Sequence, residues 1–247
     1  MLDGKVAMVT GAASGFGRGI AEAFVEKGAS VGLLDLNEVA AREAAADIGK
    51  RALPLCADVT DRLSLQRAID AMQDWAGTPN IVVNNAGVGL VPQALETVSE
   101  EDFDRVTAVN MKAIYFMSQL MTPHFKQSKG GVMLNIASTA GVSPRPNLTW
   151  YNASKGWVIT ATRSLAVELA PFNIRVNALN PVAGDTPMLA TFLGDDTPEN
   201  RQKFLSTIPL GRFSTPQDLG AAAAFLCSDE ASLITGVTME VDGGRCI

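Results

Sequence analysis

The sequence predicts an α/β fold, a single doubly wound parallel sheet with helices on both faces. Three observations carry this. Short apolar runs recur along all 247 residues and are nearly continuous rather than alternating, as strands buried on both faces read. Longer amphipathic stretches separate them, which makes repeated βα units. A glycine-rich turn joins the first run to the first helical stretch.

The expected strands are Val6–Thr10, Ser30–Asp35, Ala52–Cys56, Ile81–Asn84, Gly131–Ile136, Ile174–Leu179 and Thr238–Val241. Most are rich in β-branched or aliphatic residues. Helices are expected over Gly17–Lys27, Glu38–Ile48, Arg62–Trp75, Glu100–Phe125, Trp150–Leu169 and Pro216–Cys227, where apolar residues recur at helical spacing. No internal repeat or low-complexity linker divides the chain, so one domain over 1–247 is expected. One segment breaks the rhythm. Pro181 to Arg212 holds Pro181, Pro187, Pro198 and Pro209, three glycines and the acidic pair Asp195–Asp196. A stretch of this length without a strand inside a compact domain predicts a substrate loop or lid at about 182–212.

Composition removes several function classes. Net charge is −6, and acidic and basic residues are interspersed without a Lys/Arg block, a poor surface for nucleic acid or anionic membranes. Cys56, Cys227 and Cys246 are scattered and odd in number, which fits neither a disulfide framework nor a zinc site. The residues Met1 to Thr10 read as a turn and a strand rather than a leader, and a reducing, cytoplasmic compartment is expected. His124 is the only histidine. Ser-His-Asp triads and multi-histidine metal centres therefore have nothing to draw on, and no metal is expected. His124 itself reads as a helix-end residue.

The first strand runs into Thr10-Gly11-Ala12-Ala13-Ser14-Gly15-Phe16-Gly17 and then a helix. Glycines at such a turn let backbone approach a phosphate, and the helix N-terminus offers free N–H groups to a pyrophosphate. Asp35, 18 residues after Gly17 at the tip of the second strand, is placed to accept hydrogen bonds from ribose hydroxyls and to repel a 2′-phosphate. Leu36 and Ser14 are uncharged, so no cation stands ready for that phosphate and NAD(H) is expected over NADP(H). Asp35 also suits a helix N-cap, a place Asn37 is able to fill instead. Asp58-Val59 follows the third strand and Asn84-Asn85-Ala86-Gly87 the fourth. Together these make a row of small polar residues at the carboxyl edge, where open α/β sheets bind ligands.

Tyr151 and Lys155 lie four positions apart on a predicted helix and share a face. A phenol with a pKa near 10 is a poor base at neutral pH. A nearby ammonium and the positive charge of an oxidised nicotinamide both favour the phenolate, so the pair suits acid/base catalysis. Ser138 closes the fifth strand, 13 residues before Tyr151, where its hydroxyl is placed for a substrate oxygen. Asn110, mid-helix against propensity, is either a solvent-facing polar residue or the holder of a water linking Lys155 to solvent.

In this order, the Thr10–Gly17 turn, Asp58, Asn84-Asn85-Ala86-Gly87, Asn110, Ser138, Tyr151 with Lys155 and the terminal Val241-Asp242-Gly243-Gly244 resemble the short-chain dehydrogenase/reductase family over essentially the whole chain. The resemblance implies a Rossmann-like sheet of seven parallel strands. It implies a catalytic tetrad of Asn110, Ser138, Tyr151 and Lys155. Tyr151 exchanges the proton, Lys155 holds the nicotinamide ribose and lowers the phenol pKa, Ser138 orients the substrate oxygen, and Asn110 anchors a relay water. Cofactor contacts are implied at Gly11, Ser14, Gly15, Phe16, Gly17, Asp35, Leu36, Asp58, Val59, Asn85, Ala86, Gly87, Tyr151, Lys155, Pro181, Val182 and Thr186. A homo-oligomer, usually a tetramer, is implied through the helices Glu100–Phe125 and Trp150–Leu169. There is one departure. The family often has Pro-Gly after the sixth strand, and this chain reads Pro181-Val182. That unsettles the local backbone and narrows the floor of the site.

For substrate contacts the candidates are Thr139, Ala140, Val142, Asn147, Val182, Met188, Leu189 and Phe192, with Val91 near the fourth strand's loop. An apolar or cyclic secondary alcohol and its ketone are expected. Arg145 is either an anion contact or a solvated loop charge. Three functions stand open: an NAD(H)-dependent oxidoreductase acting on a secondary alcohol and its ketone, a 3-oxoacyl thioester reductase on the same scaffold, and a dinucleotide-binding sensor without turnover.

Overall fold

The computed structural model describes residues 1–194 and 196–247; Asp195, half of the acidic pair, lies outside the described residues. Seven strands form one sheet: β1 (Val6–Thr10), β2 (Ser30–Asp35), β3 (Ala52–Cys56), β4 (Ile81–Asn84), β5 (Gly131–Ile136), β6 (Ile174–Pro181) and β7 (Thr238–Val241). Every pairing is parallel, in the order β3-β2-β1-β4-β5-β6-β7. This is the predicted fold class. Chain order reverses between β1 and β4, and the crevice above that point is where such sheets take ligands.

The helices are α1 (Gly15–Glu26), α2 (Glu38–Ile48), α3 (Arg62–Ala76), α4 (Glu100–Thr107), α5 (Ala113–Gln127), α6 (Thr149–Leu169), α7 (Leu189–Leu193), α8 (Pro198–Leu205) and α9 (Pro216–Cys227). Two apolar layers flank the sheet. One packs Val9, Val31, Leu33 and Val83 against Ile20 and Phe24 of α1 and Leu219 and Ala223 of α9. The other packs Met8, Leu34, Val82 and Met133 against Leu65, Ile69 and Met72 of α3 and Met117, Met121 and Phe125 of α5. Helices α1 and α9 meet closely because Gly19 faces Pro216 and Gly220 faces the Gly19 carbonyl, where side chains would collide.

Local differences from the sequence reading have physical causes. β6 runs two residues past Leu179, because β7 pairs with Asn180 and Pro181. The expected helix Glu100–Phe125 is interrupted by a π-helical turn at Ala108–Lys112, a feature that clusters at functional sites. The segment 182–212 contains the short helices α7 and α8. His124 sits in the last turn of α5 with Nδ1 3.4 Å from Gln73 Nε2. No described helix is long and apolar enough to cross a membrane.

Candidate active site

A cavity of about 790 Å³ opens at the carboxyl edge of the sheet. One end is built by the glycine turn. Gly11 and Gly15 have φ of +62° and +55°, the left-handed region that glycine enters without strain. Ser14 precedes α1 but its hydroxyl does not cap the helix. The first N–H groups of α1 therefore lack intrahelical partners by helix geometry, and they face the cavity that Ser14, Gly15 and Phe16 line. Gly17 is absent from that wall. A Cβ there would run into the Gly11 carbonyl and the Asn85 amide, so Gly17 lets helix and turn close on each other.

Asp35 braces this turn. Its carboxylate accepts hydrogen bonds from the N–H of Ala13 at 3.1 Å and of Asn37 at 3.0 Å, while Asn37 caps α2 by accepting from Ala40 N–H. The alternative reading of Asp35 as an N-cap is thus corrected, since Asn37 fills that place. Leu36, Asp58 and Val59 line the same end. Asp58 Oδ1 accepts from the N–H and hydroxyl of Thr60 at 2.8 and 2.7 Å. The Asn85 amide donates to the carbonyls of Thr10 and Gly11 at 2.8 and 3.0 Å, so its side chain ties β4 to the turn. Asn85, Ala86 and Gly87 still present an edge to the cavity. The glycine cradle, the open helix N-terminus and the carboxylate at Asp35 fit a dinucleotide.

The other end carries the acid/base residues. Tyr151 and Lys155 project from α6 into the cavity, and both are buried. Lys155 Nζ donates to the Ile136 carbonyl at 3.0 Å and lies 5.9 Å from the centroid of the Tyr151 ring. Burial pushes the Lys155 ammonium down to about 8. Burial also pushes the Tyr151 phenol up from 10.0, while the Ser138 hydroxyl and the Arg145 charge draw it partly back. Burial is the largest influence on this phenol. Ser138 is held at the tip of β5, its Oγ accepting from Ala140 N–H at 3.1 Å.

Asn110 lies in the π turn, buried and off the cavity wall. Its Oδ1 accepts from Val88 N–H at 2.8 Å, and its Nδ2 donates to the Val88 carbonyl at 3.0 Å and Ser154 Oγ at 3.1 Å. The solvent-facing alternative is excluded. The amide braces the Gly87–Val88 segment beside Lys155, and one Oδ1 lone pair is left beyond these bonds.

Val182 is buried and lines the cavity with Pro181 and Thr186. It is not among the residues with positive φ, so this backbone does not require the glycine that the family often has there. Its N–H donates to the Val241 carbonyl at 3.3 Å. Thr186 sits against Gly15, 3.4 Å from where a Cβ would stand.

Of the substrate candidates, Thr139, Val182, Met188, Leu189 and Phe192 line the cavity, as does Val91. Ala140, Val142 and Asn147 do not. Ala140 packs inside with Leu90, Val106, Leu148 and Tyr151. Val142 points to solvent. Asn147 takes a left-handed turn, φ 63°, and gives its carbonyl to Gln93 N–H at 3.0 Å. The sequence reading missed Ser143, Phe204 and Arg245 as wall residues and left Arg145 between an anion contact and a solvated loop charge; the structure puts it in the wall. Ser143, Phe204 and Arg245 come from three segments far apart in the chain, and no local pattern joins them.

Residues 11–245 match the family model described as enoyl-(acyl carrier protein) reductase. The chain belongs to the short-chain dehydrogenase/reductase family of oxidoreductases. It is 48% identical to the 4-formylbenzenesulfonate dehydrogenase of Comamonas testosteroni, covering 100% of this chain and 99% of that protein. It is 38% identical to an NAD-dependent glycerol dehydrogenase of Listeria innocua, over 98% of this chain and 94% of that one. The crystal structure of a 3-ketoacyl-(acyl-carrier-protein) reductase from Brucella melitensis complexed with NADH superposes with a TM-score of 0.95 at 49% identity and full coverage of both chains.

Proposed function

We propose that this protein is an NAD(H)-dependent oxidoreductase that interconverts a secondary alcohol and its ketone, with Tyr151 as the acid/base. The observation that carries the reading is the meeting of the glycine turn with the Ser138, Tyr151 and Lys155 cluster in one cavity. When bound, the nicotinamide cofactor supplies or accepts the hydride. Gly11, Ser14, Gly15 and Phe16 would hold its phosphates, and Asp35 its adenosine ribose. Asp58 and Val59 would face the adenine, and Asn85, Ala86 and Gly87 the nicotinamide half, with Pro181, Val182 and Thr186 closing over the carboxamide. Asp35 supports NAD(H) over NADP(H), since a carboxylate repels a 2′-phosphate.

The protein's own part is proton handling and positioning. Ser138 donates a hydrogen bond to the substrate oxygen. In carbonyl reduction the Tyr151 phenol, kept protonated by burial, gives its proton to that oxygen as hydride reaches the carbon. In alcohol oxidation the phenolate takes the hydroxyl proton. Lys155, fixed by Ile136, replaces the lost proton and holds the nicotinamide ribose. Asn110 acts from behind by setting Gly87 and Val88 in place.

A second reading, 3-oxoacyl thioester reduction, is favoured by the likeness to the Brucella 3-ketoacyl-(acyl-carrier-protein) reductase. Absorbance at the reduced-nicotinamide band, with NADH and NADPH against simple ketones, alcohols and 3-oxoacyl thioesters, separates the readings. Turnover of ketones with NADH supports the first. Faster turnover of thioesters supports the second. NADH binding without turnover of any substrate leaves a sensor. Homo-oligomerisation and a cytoplasmic location belong to the same proposal.

A further inference from the structure

Two guanidinium groups stand in the wall of the catalytic cavity without a carboxylate partner among the described residues. Arg145 and Arg245 both line it. Neither is in a salt bridge with a described residue, and among the described residues neither guanidinium makes a side-chain hydrogen bond. Both lie in one cavity wall, and burial first, with the Arg245 charge behind it, draws the Arg145 guanidinium below its ordinary pKa. By contrast Arg105, in the same wall, is neutralised by Asp102 at 2.7 Å. Two like charges in a partly desolvated wall are unfavourable unless something negative joins them.

The fold goes to some length to hold them there. Asn152, next to Tyr151 on α6, donates to the Arg145 carbonyl at 2.7 Å. The Arg145 guanidinium packs over the rings of Phe204 at 4.8 Å and Phe192 at 5.6 Å, where cation–π attraction orients its plane. Arg245 is aimed by the terminal turn. Asp242, buried, accepts from Gly244 N–H at 2.9 Å and Cys246 N–H at 2.8 Å, with Gly243 and Gly244 at φ of 63° and 88°. The distance to the chemistry is short, because the Phe192 ring also lies tilted against the Tyr151 ring, centroids 5.0 Å apart. Phe192 therefore contacts both the Tyr151 ring and the Arg145 guanidinium.

We propose that Arg145 and Arg245 form an oxyanion subsite, so that the substrate is a small carbonyl compound or alcohol bearing a carboxylate or sulfonate about one aromatic ring away from the reacting carbon. Planar guanidinium forks match such groups with paired, charge-assisted hydrogen bonds. The apolar span between the two ends, walled by Val182, Leu189 and Phe192, suits a flat hydrocarbon spacer. A carrier-linked thioester fits less well, because its phosphodiester lies at the far end of a long arm and not one ring from the carbonyl.

The inference rests on the oxidoreductase reading, and the test separates the two. Para-acetylbenzoate and para-acetylbenzenesulfonate are compared with the neutral methyl para-acetylbenzoate in NADH oxidation, and benzoate binding is measured by calorimetry against benzamide. The anionic ketones are expected to have kcat/KM about 10- to 100-fold above the ester. R145M and R245M should each erase most of that ratio through KM, R145K should keep part of it, and benzoate affinity should fall in step. Thermal melting and NADH fluorescence identify any variant that does not fold; R145M and R245M sit on separate segments, so either suffices. Equal use of acid and ester by the unaltered enzyme overturns the subsite while leaving the oxidoreductase reading intact. Arginine-dependent benzoate binding without any hydride transfer upholds the subsite and overturns that reading instead.

Discussion

Lys155 Nζ lies 3.0 Å from the Ile136 carbonyl oxygen. Together with the bond from Asn135 Nδ2 to Thr162 Oγ1 at 2.9 Å, this contact fastens α6 to β5. The strand that leads into Ser138 and the helix that carries Tyr151 thus meet at a buried ammonium, and the proton-handling groups are positioned as a unit.

Tyr151→Phe keeps the ring packing on Phe192 and removes only the hydroxyl. Turnover is expected to fall about 100- to 10,000-fold, the usual worth of a general acid/base. NADH affinity, read by fluorescence titration, should stay within a few-fold. Loss of NADH binding to the same degree as activity would assign Tyr151 a structural role.

The pH profile has a defined sign. Alcohol oxidation needs the phenolate, and burial holds the phenol above 10.0, so oxidation should climb with pH through the neutral and alkaline range. Carbonyl reduction uses the protonated phenol, already present at neutral pH, and should be flat there. Lys155, pushed down to about 8, gives up its charge above that value and should add an inflection. Lys155→Arg keeps a charge at every accessible pH and should remove that inflection. Oxidation rates independent of pH would contradict the assignment.

Asp35→Asn preserves an acceptor for the Ala13 N–H and removes the negative charge. The ratio of kcat/KM for NADH over NADPH should drop by about tenfold or more, since one carboxylate–phosphate repulsion is of that order. An unchanged ratio places the ribose elsewhere.

Asn110→Ala removes three hydrogen bonds, one buried and two part-buried, and leaves the backbone N–H and carbonyl of Val88 short of a partner. The cost is about 1–3 kcal/mol, roughly 2–10 °C in melting temperature for a chain of this size. Activity should fall as well, because Gly87 and Val88 lose their brace beside Lys155. A melting curve identical to the parent's would show that the amide supports nothing.

Gly17→Ala forces a methyl group against the Gly11 carbonyl and the Asn85 amide. Overpacking of this kind costs about 1–3 kcal/mol. NADH affinity should weaken together with thermal stability, although residue 17 does not face the cavity. Weakened affinity with unaltered melting would mean that Gly17 meets the cofactor directly.

The sheet, its strands and its helices were legible in the sequence because they depend on local periodicity. An apolar run buried on both faces has no other stable home, and the Thr10–Gly17 turn and the Tyr151–Lys155 spacing are short-range patterns as well. Tertiary structure alone decided the rest. Gly17 packs tightly on Gly11 and Asn85, Asn110 is a buried brace, and Val182 needed no glycine backbone. Arg145 and Arg245 came to one wall from segments 100 residues apart. Distances between side chains on different segments follow from how whole layers dock, and the balance of burial against neighbouring charge at Tyr151 and Lys155 exists only once those layers have closed around them.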